Sequence, residues 1–343
     1  MKTEPIKVNL APTLGDVARK AGVSTATVSR CLNDPDRVVA ATREKVMSAV
    51  KELEYTPNFA ARVMAARRTF TIGAIIPTMD NAIFARGLQA FQEALHARGY
   101  TLLVASSAYD PAVEEEQIRS LVSRGADGIL LIGHDRDAPI YEYLDRQKVP
   151  ALAAWSFDEA GRIPSIGFNN RAAMAALTRE VIGLGHRRLA MISGISQGND
   201  RARGRIDGLK DAMRQAGLSL DSLQVIEASY EIDNGAKAFE TLMASADRPT
   251  AILCGNDVLA VGALMTARKM GLRVPQDVSI TGFDDIEIAR IATPALTTVH
   301  VPHREMGRKA ADALADIVEG KTPDTSTSLK TRITWRDSLG PCP

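Results

Sequence analysis

After Thr69 the chain is an alternation, and this alternation limits what it can fold into. Short apolar runs read TIGAIIP, YTLLVAS, ADGILLIG, VPALAAW, PSIGF, RRLAMISG, LQVIEAS, TAILCGN, VSITGFDD, LTTVHVP and TRITWRD. Helical patterns such as ARGLQAFQEALHARG and VLAVGALMTARKMG separate them. Most runs are continuously apolar, as strands buried on both faces are. Strands alternating with helices give parallel sheets covered on both sides. Eleven runs exceed one comfortable doubly wound sheet, so the pattern predicts two lobes. Their ligand crevice is expected outside the carboxyl ends of the strands.

The first 69 residues are built differently. They hold 12 Lys+Arg against 7 Asp+Glu, whereas the whole chain of 343 residues has a net charge of only +1. A basic head on a mildly acidic body points to a head that meets a polyanion. Within it, TLGDVARKAGVSTATVSRCLN reads as two short helices and a tight turn. Thr13 and Asp16 form a capping box, Gly22 ends the first helix in a left-handed conformation, and Ser24 caps the second. Val28, Cys31 and Leu32 form a stripe that packs on Val17 and Ala18, leaving Ala26, Ser29, Arg30 and Asn33 outside with Thr25 at the first exposed turn. A third helix is expected from about Thr42, with Val46, Val50 and Leu53 inward. Capping boxes and stripes occur in many three-helix bundles. The spacing, the outward Arg30 and the local excess of charge together favour a DNA-reading helix-turn-helix. In that geometry the second helix enters the major groove, and Arg30 donates twice to guanine O6 and N7. The residues expected to meet DNA in this head are Thr13, Ser24, Thr25, Ala26, Thr27, Ser29, Arg30 and Asn33.

TLGDVARKAGVSTATVSR followed by TREKVMSAVKELEYTPN resembles the DNA-binding head of the LacI/GalR family of bacterial transcription regulators, and the resemblance continues along essentially the whole chain after residue 12. It implies a flexible extension at 1–12, a helix-turn-helix at 13–56, a hinge helix at 57–69 and an effector-binding and dimerisation body at 70–343. The body would resemble a periplasmic sugar-binding protein, with an N-lobe at about 70–167 plus 299–327 and a C-lobe at about 168–298 plus 328–343. The hinge, PNFAARVMAARRT, is too short to be stable alone. The resemblance implies that it folds against its dimer mate in the operator's minor groove. Asn58 would cap it, Arg62, Arg67 and Arg68 would meet phosphates, and Met64 would stand where the family usually inserts a leucine wedge between base pairs.

In the body, the resemblance assigns an effector site to residues at strand ends and helix starts. Phe84 would stack on the ligand, although a phenylalanine at this spacing is more often core. Arg205 would bind vicinal hydroxyls or a carboxylate, although spacing alone favours a solvated helix face. Asn256, Asp257 and Asp284 end two strands, where their oxygens either accept ligand hydroxyls or cap the following helices. Trp155 is a further candidate. Val301 replaces a polar ligand contact of some relatives. This set suits a sugar or sugar acid better than a purine.

Catalytic, cofactor and metal signatures are lacking. EGKT at 319–322 has Ala315 where a phosphate loop needs glycine, so Gly320 reads as a helix cap. GISQG has the letters of a nucleophile elbow without locatable partners. His96, His134, His186, His300 and His303 show no metal-ligand spacing, and Cys31, Cys254 and Cys342 form no disulfide framework. The expectation is therefore a cytoplasmic homodimeric regulator, not an enzyme. It would read a pseudopalindromic double-stranded operator under control of a small molecule. A solute receptor serving sugar uptake is the rival reading, to which the missing export signal and the basic head are opposed.

Overall fold

The computed structural model describes residues 11–33, 35–56, 68–80, 82–321 and 326–343, with only the backbone of Asn33 and Pro35. The chain divides into two compact units at Thr69/Phe70. Asn58, Arg62, Met64 and Arg67 lie outside the described residues.

The head contains α1 (Leu14–Ala21), α2 (Thr25–Asn33) and α3 (Ala40–Glu52). The Thr13–Asp16 capping box forms reciprocally, and Gly22 at φ 67° turns the chain out of α1. The Ser24 hydroxyl oxygen accepts the Thr27 N–H at 3.2 Å and so caps α2. Val17, Ala18, Val28, Cys31, Val46, Ala49 and Tyr55 make the core, with Val50 and Leu53 half-buried against it. The third helix starts at Ala40, two residues before the sequence suggested. The N–H groups of Thr42 and Arg43 bond the Val39 carbonyl, and no side chain marks that start.

The body contains two six-stranded sheets. The first lobe brings β1 (Thr71–Ile76), α4 (Ala82–Ala97), β2 (Thr101–Ser106), α5 (Pro111–Ser123), β3 (Gly128–Ile132), α6 (Ala138–Gln147), β4 (Ala151–Ala154) and β5 (Ser165–Gly167). The chain then builds the second lobe from α7 (Asn170–Gly183), β6 (Leu189–Gly194), α8 (Asp200–Gln215), β7 (Gln224–Ala228), α9 (Ile232–Met243), β8 (Ala251–Cys254), α10 (Asp257–Lys269), β9 (Ser279–Asp284), α11 (Glu287–Ile291) and β10 (Thr297–His300). It returns as α12 (His303–Val318) and β11 (Thr327–Ser328) in the first lobe, and ends with β12 (Arg332–Thr334) in the second. The sheet orders are β11-β5-β4-β3-β1-β2 and β12-β10-β9-β8-β6-β7, and only the β10–β12 pair is antiparallel.

Two details differ from the sequence reading. Val299 and His300 belong to the second lobe, because they pair with Phe283 and Asp284 of β9; the return to the first lobe comes at Val301–Pro302. The described residues also hold a twelfth strand, β11, whose two polar residues give no apolar run.

Close helix contact fixes the first lobe. Gly307 on α12 faces the Gly87 carbonyl on α4, and a Cβ at Gly307 would collide with that backbone. The Trp155 ring lies against Gly87 with equally little room. Only glycine lets these helices cross at that separation.

Candidate functional site

The crevice residues come from the carboxyl ends of the second lobe's strands. Parallel pairing of β6 with β8 and of β8 with β9 carries Ser193, Asn256 and Asp284 to one rim. All three are fully buried. Ser193 Oγ, Asn256 Nδ2 and both carboxylate oxygens of Asp284 have no hydrogen-bond partner within the protein. Burying a polar group unpaired costs about 1–3 kcal/mol each, so such a cluster calls for an explanation. Asn256 spends its oxygen on the Leu259 N–H at 2.9 Å, capping α10, while its amide nitrogen remains available.

Arg205 on α8 is 5% exposed, so it does not lie on a solvated helix face. Its Nε donates to Asn170 Oδ1 at 2.9 Å and its Nη1 to the Gly255 carbonyl. Its Nη2 lies 3.8 Å from Asp284 Oδ1, and the guanidinium stacks 3.9 Å above the Phe283 ring. Burial raises the Asp284 carboxyl to about 6 against the pull of Arg205. Tyr109, in the loop after β2 in the first lobe, is likewise pushed up by burial. Its ring centre sits 5.9 Å from that of Tyr230, which follows β7. These two tyrosines border a cavity of about 470 Å³, together with Asp110, Gln197, Asn199 and Ser229.

Asp257 does not present itself to the crevice. Its oxygens accept from the Thr298 hydroxyl at 2.6 Å and the Ile286 N–H at 2.8 Å, which makes it an internal strap between β10 and the α11 approach. Burial, followed by the nearby Asp284, drives its carboxyl well above the ordinary range. Trp155 is 2% exposed, and its indole N–H is already given to His303 Nδ1 at 3.2 Å. Phe84 packs edge-on against it, with ring centres 5.5 Å apart. Val301 is buried. The sequence does not single out Ser193, Asn170, Tyr109 or Tyr230, and it raises His303 only as a candidate metal ligand. Tyr109 and Tyr230 each stand just past an apolar run, in the position a crevice residue should take.

In the head, Thr25, Ala26 and Arg30 are exposed on one side of α2, with Thr27 and Ser29 half-buried beside them. Thr13 and Ser24 spend their side chains on capping.

Residues 13–58 match the family model described as bacterial regulatory proteins, lacI family, and residues 178–339 match the periplasmic binding protein-like domain. The HTH-type transcriptional repressor PurR of Vibrio vulnificus is 34% identical over 313 residues, covering 91% of this chain and 93% of its own length. The chain belongs to the lacI family. It is a DNA-binding transcriptional repressor whose two-lobed body shares the family's fold. The crystal structure of the Lac repressor dimer bound to operator and the anti-inducer ONPF superposes with a TM-score of 0.86 at 26% identity, covering 96% of this chain and 99% of that one. The transcriptional regulator CelR–cellobiose complex gives 0.70 at 31% identity, covering 95% and 99%. The relatives are regulators, and the match to both head and body excludes the solute-receptor reading. Among the described residues no helix is long and apolar enough to cross a membrane, and no group of three or more His, Cys, Asp or Glu side chains could hold a metal ion.

Proposed function

We propose that this lacI-family repressor acts in the cytoplasm as a homodimer, reads a pseudopalindromic operator and answers to a polyhydroxylated effector, a sugar or sugar acid. The observation that carries the effector class is the rim of unpartnered buried atoms on Ser193, Asn256 and Asp284. Two carboxylate oxygens accept hydroxyl protons, an amide donates to a hydroxyl oxygen, and a serine does either. Arg205 closes one side, and Tyr109 and Tyr230 offer faces to C–H groups. The cellobiose complex of the related CelR shows that a body of this fold accepts a polyhydroxylated ligand, which supports the reading.

In the head, Arg30 takes the base-reading role, with Thr25, Ala26, Thr27, Ser29 and Asn33 around it, while Thr13 and Ser24 hold the helices that present them. Asn58, Arg62, Met64 and Arg67 supply the hinge contacts. Effector between the lobes shifts how the two bodies pair and hence how the hinges order, and the usual coupling of ~1–3 kcal/mol alters operator affinity from several-fold to over a hundredfold. Melting of the full chain with D-glucose, D-gluconate or hypoxanthine tests the effector class. A sugar or sugar acid at about 100 times its Kd stabilises by about 2.7 kcal/mol. That gain is expected to vanish in Asp284→Ala. Stabilisation by hypoxanthine alone would overturn the reading.

A further inference from the structure

Asp284 is tied to the first lobe through a histidine whose tautomer is set by its neighbours. His303 Nδ1 accepts the Trp155 indole N–H, so that nitrogen carries the lone pair. Nε2 therefore carries the proton; it donates to the Asp284 main-chain carbonyl at 3.3 Å and lies 4.0 Å from Asp284 Oδ1. Burial keeps the ring neutral, holding its pKa down to about 3. Both residues that it joins adopt left-handed backbone, Trp155 at φ 61° and Asp284 at φ 101°. Such conformations cost of order 1–3 kcal/mol each and persist only where the surroundings over-determine them. Asn170 Nδ2 anchors the Trp155 carbonyl at 3.0 Å, and the indole ring rests on Gly87, where α4 and α12 cross. The chain of contacts thus runs from the rim of β9 to the helix crossing of the first lobe.

We infer that His303 is a positioning residue which conveys the charge state of Asp284 to Trp155, so that what occupies the rim is registered in the first lobe. This rests on the reading of the rim as the effector site. Hydrogen bonds in a chain polarise one another. An ionised Asp284 strengthens donation from Nε2–H and makes Nδ1 a better acceptor for the indole. A protonated Asp284, or one whose charge is taken up by ligand hydroxyls, relaxes that pull. The charged and titratable groups around the pair are Arg205 on α8, Asp257 on α10 and Tyr109 after β2, with Arg86 on α4 and His300 on β10 acting on His303. Asp285 is occupied by His300 and Arg336.

Because the chain has two tryptophans, Trp335→Phe leaves Trp155 as the sole reporter. Its emission is followed in the full chain, without ligand or DNA, from pH about 5 to about 7.5, the interval that spans a carboxyl raised to about 6. A shift to longer wavelength is expected as pH rises, half complete near pH 6. Asp284→Asn and His303→Phe each remove it. His303→Gln retains it, because an amide can accept from the indole and donate to the carbonyl. Emission indifferent to pH overturns the inference, as does a transition that survives Asp284→Asn or His303→Phe. So does loss in His303→Gln with unchanged melting. Failure of the effector reading shows separately, as absence of stabilisation by any sugar or sugar acid.

Discussion

Replacing Asp284 by asparagine is expected to make the body more stable while abolishing its response to effector. The carboxyl rises from 3.8 to about 6 on folding because it is fully buried, with Arg205 only partly compensating. At 1.36 kcal/mol per pKa unit, holding that group ionised costs about 3 kcal/mol. Below pH 3.8 both folded and unfolded chains keep the proton, so the carboxyl imposes no penalty. As pH climbs through about 6 the penalty becomes complete. Asparagine keeps the shape and one acceptor and has nothing to ionise. That cost is already net of the attraction to Arg205, and in the variant the guanidinium keeps Asn170 and the Gly255 carbonyl as partners. A net gain of roughly 1–3 kcal/mol above pH 7 follows. Urea unfolding followed by tryptophan fluorescence reads it directly, because Trp155 and Trp335 both lie in the body. The same titration near pH 4 is expected to show little difference between the two proteins. A variant no more stable than its parent at pH 8, or one equally favoured at pH 4 and pH 8, refutes the reasoning.

Two further substitutions test other parts of the molecule. Arg30→Ala is expected to lower the preference for operator over random duplex by roughly ten- to a hundredfold, the worth of a bidentate guanine contact, in a competition binding assay; unchanged preference removes Arg30 from direct readout. Gly307→Ala drives a methyl group into the Gly87 carbonyl and is expected to destabilise the body by at least ~1–3 kcal/mol in thermal melting. Gly183→Ala, where a Cβ meets nothing within 4 Å, serves as its harmless control.

How much was readable depends on whether a feature is local. The capping box at Thr13, the αL turn at Gly22 and the runs that became β1 through β10 and β12 are set by neighbours a few residues apart, and they appear where the letters place them. Sheet membership is not local. Val299 looks the same in either lobe, and only its pairing with Phe283 decides. The same limit governs the crevice. Position after a strand singles out Asn256, Asp257 and Asp284 alike, yet Thr298, more than forty residues downstream, takes the Asp257 oxygen that would otherwise be free. Arg205 looked like a surface residue because its partners, Asn170 and Gly255, are also distant in sequence.

The helix crossing at Gly87 and Gly307 has a consequence for how the molecule comes into being. More than two hundred residues separate the two glycines, and the whole of β6 through β10 is made between them. A chain emerging from the ribosome can therefore build β6 through β10 of its later lobe while the earlier one still lacks α12 and β11. Until α12 is made, the side of Gly87 that meets Gly307 waits for a helix not yet synthesised, and the strand that completes the later lobe, β12, comes last of all.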